Sequence, residues 1–80
     1  MDKMKLEALA EGASVQIDKC RSVQIATNQH RFFVVVTTKS DTGKFENQVT
    51  DSEGYMYYET QRVVAGVDSI ATAIEIAQLQ

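Results

Sequence analysis

Tyr55-Met56-Tyr57-Tyr58, Gly66-Val67-Asp68-Ser69 and the closing run Ile70-Ala71-Thr72-Ala73-Ile74-Glu75-Ile76-Ala77-Gln78-Leu79-Gln80 decide the fold. The first is aromatic and predicts a strand from Tyr55 to about Val64, with Tyr55 and Tyr57 on one face and Met56 and Tyr58 on the other. The last predicts a helix. Ile70, Ala73, Ile74 and Ala77 fall at helical spacing, Ala71 and Ile76 widen the stripe, and Leu79 lies past its end, so a broad face is buried. Asp68 precedes it as the predicted N-cap, its carboxylate accepting a free first-turn N–H.

Working back from there, Lys44 to Thr50 predicts an alternating strand, with Phe45 and Val49 on one side and Glu46, Gln48 and Thr50 on the other. Asp51-Ser52-Glu53-Gly54 and Ser40-Asp41-Thr42-Gly43 are turns in composition. Arg31 to Lys39 (Arg-Phe-Phe-Val-Val-Val-Thr-Thr-Lys) predicts a strand that is apolar on both sides in its middle. A strand with one wet face alternates, so both faces of this one are expected to be covered. Asp2 to about Glu11 is rich in helix formers, with Leu6, Leu9, Ala10 and Ala13 at helical spacing and Gly12 as a C-terminal stop. Between them the tetrapeptide Ser-Val-Gln-Ile occurs at 14–17 and again at 22–25. Two readings stay open: a small hairpin looping through Asp18-Lys19-Cys20-Arg21, or continuation of the first helix, since Ile17 and Cys20 extend its stripe. The expected fold is a two-layer α+β domain spanning 1–80, with helices at both ends of a three- or four-stranded antiparallel sheet, in the order α-β-β-β-α.

The bulk numbers narrow the function classes. Eighty residues, 44% hydrophobic and 24% charged, make one folded domain with a modest core. There is no run of the ~20 apolar residues a membrane-spanning helix needs, and Met1-Asp2-Lys3-Met4-Lys5-Leu6-Glu7 lacks the apolar centre of a secretion signal. The single cysteine, Cys20, cannot pair within the chain, which predicts an intracellular setting and a small buried hydrophobe. One cysteine and one histidine, His30 in the turn Asn28-Gln29-His30, fall short of the four ligands of a zinc site. The four glycines form no phosphate-binding loop. No metal, cofactor or catalytic residue is predicted, and the expected protein is not an enzyme.

Charge is unevenly divided. Residues 1–40 carry six bases and four acids, a balance of +2, while residues 41–80 carry two bases and seven acids, a balance of −5. A nucleic-acid binder depends on phosphate contacts and shows the opposite sign overall. An acidic half predicts a protein partner with a basic surface. The candidate contacts are Glu46, Asp51, Glu53, Tyr55, Tyr57, Tyr58 and Glu59, where rigid tyrosine area lies among steering carboxylates. Two other readings are a nucleic-acid accessory protein using Lys3, Lys5, Lys19, Arg21 and Arg31, and a homodimer through an apolar sheet face.

Two resemblances attach to these features. The order α-β-β-β-α, with Arg31-Phe32-Phe33-Val34-Val35-Val36 as first strand, resembles the double-stranded-RNA-binding domain from about Asp2 to Leu79. That family reads phosphates with lysines opening its last helix, where this chain has Asp68-Ser69-Ile70-Ala71-Thr72, so the resemblance implies topology alone. In size and charge the chain is similar to small phage and mobile-element proteins that block host nucleic-acid machines, anti-CRISPR proteins among them. That similarity implies an inhibitor binding a basic surface of such a machine.

Overall fold

The computed structural model describes residues 1–80 as an α+β fold in which two helices cover one face of a five-stranded antiparallel sheet. Helix α1 (Lys3–Ala10) leads into β1 (Val15–Gln16), β2 (Arg21–Asn28) and β3 (Arg31–Ser40). A single 3-10 turn (Phe45–Asn47) precedes β4 (Gln48–Thr50), and β5 (Met56–Val67) precedes α2 (Ile70–Gln78). The sheet order is β1-β2-β3-β5-β4, so β5 inserts between β3 and β4. The strand count is slightly above the expected three or four, because the short edge strands β1 and β4 flank three long ones. This order also departs from the three-strand series on which the RNA-binding-domain resemblance rests.

Local chemistry accounts for the boundaries. Asp2 caps α1 by accepting from Lys5 N–H at 2.9 Å. Gly12, at φ +85, ends it in the left-handed region that glycine enters without a Cβ penalty. There Gly12 N–H donates to Leu9 O and Ala13 N–H to Ala8 O, the paired bonds of a Schellman stop. The repeated tetrapeptides resolve as a hairpin and not as continued helix: Val15 pairs with Val23 and Gln16 with Ser22. Asp18 organises its loop, accepting from Cys20 N–H, Arg21 N–H and Arg21 Nε within 2.8–2.9 Å. The β2–β3 turn places Gln29 and His30 at φ 49 and 69 between the paired Asn28 and Arg31. Two positive φ values in a two-residue loop match the right-handed twist of the flanking strands.

The core is small. Eight of the 80 residues are buried: Leu9, Val15, Val23, Ile25, Val34, Val36, Ala73 and Ala77. Val23, Ile25, Val34 and Val36 point from β2 and β3 toward the helices, and Leu9, Ala73 and Ala77 fill the space above them. The two alanines let α2 approach the sheet closely, while Ile70, Ile74 and Ile76 ring the contact half-buried. As the α2 periodicity predicts, Leu79 lies outside, 83% exposed.

Four expectations are corrected. Asp68 is not the cap of α2. Ser69 is, its Oγ accepting from Thr72 N–H at 3.5 Å, while Asp68 is drawn aside to Arg31, 3.5 Å away. Lys44–Thr50 is not one strand: only Gln48–Thr50 pairs with β5, and Phe45 stands 85% exposed. Cys20 is exposed rather than buried, because the Asp18 loop turns it outward. Finally, both helices share one face, so the second face of β3, carrying Phe33 and Val35, has no helical cover. No helix is long and apolar enough to cross a membrane.

Candidate functional site

No residue between Thr37 and Thr72 is fully buried, so the segment from Asp41 to Tyr58 forms an arm whose sequence the core does not dictate. The molecule measures 37 × 26 × 20 Å. The arm lies at the end of the sheet where β3 finishes, β4 is added and the β1–β2 loop arrives.

Asp51 builds the turn that aims the arm's first tyrosine. Its Oδ1 accepts from Glu53 N–H and Tyr55 N–H, both at 2.9 Å, and its own N–H donates to Tyr55 O at 3.0 Å. Gly54 closes the turn at φ +85, a conformation side chains disfavour. Tyr55, so held, donates its phenol O–H to Asp41 Oδ1 at 2.7 Å and latches the β4–β5 turn to the loop after β3. That bond to a carboxylate, with the nearby negative charge of Asp41, raises the phenol above its ordinary pKa of 10.0.

Tyr57 follows on the same face. Lys39 Nζ sits 5.0 Å from its ring centroid, a cation–π contact, and its hydroxyl is 3.5 Å from Glu59 Oε2. Lys39 and Glu59 are themselves cross-strand partners. Tyr58 points to the opposite face. There it packs on Gly43, where an added Cβ would come within 3.0 Å of Tyr58 Cβ. That glycine lets the loop after β3 cross close over β5.

Lys19, Cys20, Lys39, Asp41, Tyr55 and Tyr57 surround a shallow groove of about 280 Å³, with Ser40 and Asp51 completing its wall. Of the seven residues predicted from sequence, the structure brings Asp51, Tyr55 and Tyr57 to this groove and sets Glu59 beside it. Glu46 and Glu53 project from the 3-10 turn and the β4–β5 turn and are exposed. Tyr58 is a positioning residue of the other face. The groove itself is charge-balanced, with two lysines facing two aspartates. Outside the groove, the rim of the arm carries the exposed acids Glu46 and Glu53 against Lys44.

Sequence reasoning missed Asp41, Lys39 and the exposed apolar residues Phe45, Val49 and Met56. Asp41 lies fourteen positions from Tyr55 and meets it only because β5 threads between β3 and β4. A separate cavity on the helix side lies between Arg21, Arg62, Thr38 and Thr60. Its Arg21 is already engaged by Asp18 and by the Gln80 carbonyl.

Cys20 and His30 sit at opposite ends of β2, whose eight residues at ~3.3 Å each keep them roughly 25 Å apart. They do not form a nucleophile–base pair. No three His, Cys, Asp or Glu side chains converge in the geometry of a metal site. The bases of the first half are dispersed over α1 (Lys3, Lys5), the β1–β2 loop (Lys19), the start of β2 (Arg21) and the far end of β3 (Arg31). Arg31 is further tied to Asp68 and to the Gly66 carbonyl at 3.0 Å. Comparison with protein-family models, curated proteins and solved structures finds no match to this chain.

Proposed function

We propose that this protein is a non-enzymatic binding module, an inhibitor or adaptor in kind, that docks its acidic arm on a basic surface of a partner protein. One observation carries this reading. The arm combines Phe45, Tyr55 and Met56, 85%, 57% and 54% exposed, with the acidic rim, and contributes nothing to the buried core. Exposed aromatic and methionine area inside a charged rim is interface chemistry: the apolar groups supply contact area and the carboxylates speed encounter with a cationic surface. The class of partner this chemistry fits is a nucleic-acid-handling protein, whose phosphate-binding groove offers a ready cationic face.

The test is paired affinity capture from nuclease-treated lysate with the wild-type protein and with Glu46→Lys/Glu53→Lys. Both glutamate side chains are free of bonds within the fold, so the variant stays folded. The expected result is a partner retained by wild type, released by raised salt and lost with the double reversal. Identical partners for both proteins would sink the reading. Partners that vanish with nuclease would favour the nucleic-acid reading instead.

A second reading, the homodimer through the sheet, is favoured by a different observation: the helix-free face of β3 and β5 exposes Val63 to 59% beside Val35 and Phe33. Exposed apolar patches of this kind mark association surfaces.

A further inference from the structure

The fold exposes more surface than its mass requires. Its accessible area is 5711 Å², against roughly 4,800 Å² for a compact monomer of this mass. Its radius of gyration is 13.5 Å, against roughly 11.6 Å for a compact 80-residue domain. The surplus of about 900 Å² matches the ~800 Å² that one partner gives up in a standard interface. The three long strands, of eight, ten and twelve residues, with short β1 and β4 at the edges, give the uncovered sheet face roughly 500 Å² before side-chain relief.

Register on this face supplies a pattern. Val35 pairs with Val63, Thr37 with Gln61 and Lys39 with Glu59, all across the β3–β5 seam. At the other end Phe33 lies over Gly66, its ring 3.0 Å from where a Cβ would stand, and a register shift between Val34 and Val35 separates this pair from Val35–Val63.

We propose that the helix-free sheet face is a homodimer interface whose two-fold axis runs along the β3–β5 seam. The inference deepens the homodimer reading and rests on it, and is independent of the arm's docking to a basic partner. A half-turn about that seam exchanges β3 and β5, so each cross-strand pair meets its own reverse. Val35 faces the partner's Val63, Thr37 faces the partner's Gln61, and Lys39 faces the partner's Glu59, each contact occurring twice. The Phe33 rings meet beside the axis. A two-fold axis laid across the strands would set Lys39 and Glu59 over the Phe33–Gly66 end and leave both charges unmatched. This self-complementarity of shape and charge is what an isologous interface requires, and it selects a second copy over an unrelated chain. Aligned packing of two twisted sheets at ~10 Å suits the arrangement.

The experiment has two parts. Sedimentation equilibrium of the wild type should show a dimer, with Val63→Lys weakening it by about tenfold or more through an unpaired charge in the apolar stripe. Circular dichroism establishes that the variant remains folded. Then, in a Cys20→Ser background, protein carrying Val35→Cys is mixed with protein carrying Val63→Cys under mild oxidation. The seam axis predicts that the mixed disulfide forms at least about tenfold faster than either self-linked product, because only unlike positions meet across it. A monomer at all concentrations would overturn both the homodimer reading and the seam axis. A dimer without preferential mixed linkage would overturn the seam axis while leaving the homodimer. Glu46→Lys/Glu53→Lys should leave sedimentation unchanged, which separates this result from the fate of the arm.

Discussion

At the scale of single residues, the Tyr55–Asp41 hydrogen bond is the contact most open to direct reading. Donation to a carboxylate raises the phenol above 10.0, so its contribution is complete below the unfolded value and is lost as pH rises through the folded one. Spectrophotometric titration should therefore show the Tyr55 phenol ionising above 10.0, and Asp41→Asn should bring it back toward that value. Gly43→Ala should cost about 1–2 kcal/mol in a urea melt, since the new methyl meets Tyr58 Cβ, which cannot swing away. The tyrosines and the arm acids other than Asp41 were legible in the sequence as residue types. Their partners were not, because neither the Asp41–Tyr55 bond nor the Lys39–Tyr57 contact follows from any local spacing. Cys20 was misread for a related reason: a cysteine among β-formers reads as buried, but the Asp18 side chain turns the backbone there and rotates it outward.

At the scale of elements, periodicity was informative wherever an element packs on the core. Both helices and the β3 strand were legible because Leu9, Ala73, Ala77, Val34 and Val36 fill one interior. Leu9 is fully buried and is the only such side chain on α1. Leu9→Ala should cost about 3 kcal/mol, a large share of the roughly 4–12 kcal/mol expected of an 80-residue domain. Met4→Ala, at a position 80% exposed, should change little in the same melt. The β2–β3 turn is a second test. Replacing Gln29-His30 by Asn-Gly should raise stability by about 1 kcal/mol, because both central residues hold positive φ. Alternation failed in Lys44–Thr50 because nothing packs against Phe45. Where no core rewards a pattern, the chain takes the 3-10 turn that carries it across the end of β5.

At the scale of the whole molecule, the α+β class followed from the order of elements, but the sheet order did not. A local reading joins consecutive strands, whereas β5 enters between β3 and β4 and creates both the arm and the long β3–β5 seam. The same topology divides the surface into three. The helices cover one sheet face, the opposite face presents its valines, and the arm extends past both with its acids and aromatics. If the arm is the binding element, Phe45→Ala should leave the melting temperature within a degree or two, yet weaken partner binding by about 1 kcal/mol or more. Surface plasmon resonance beside a thermal melt would separate the two effects.

Hydrogen exchange of the wild-type protein, alone and with the partner it captures from nuclease-treated lysate, decides whether the arm is the binding element. If it is, exchange slows across residues 41–58, with the outer surfaces of α1 and α2 unchanged. Slowed exchange confined to the two helices, with 41–58 exchanging as in the free protein, would contradict it.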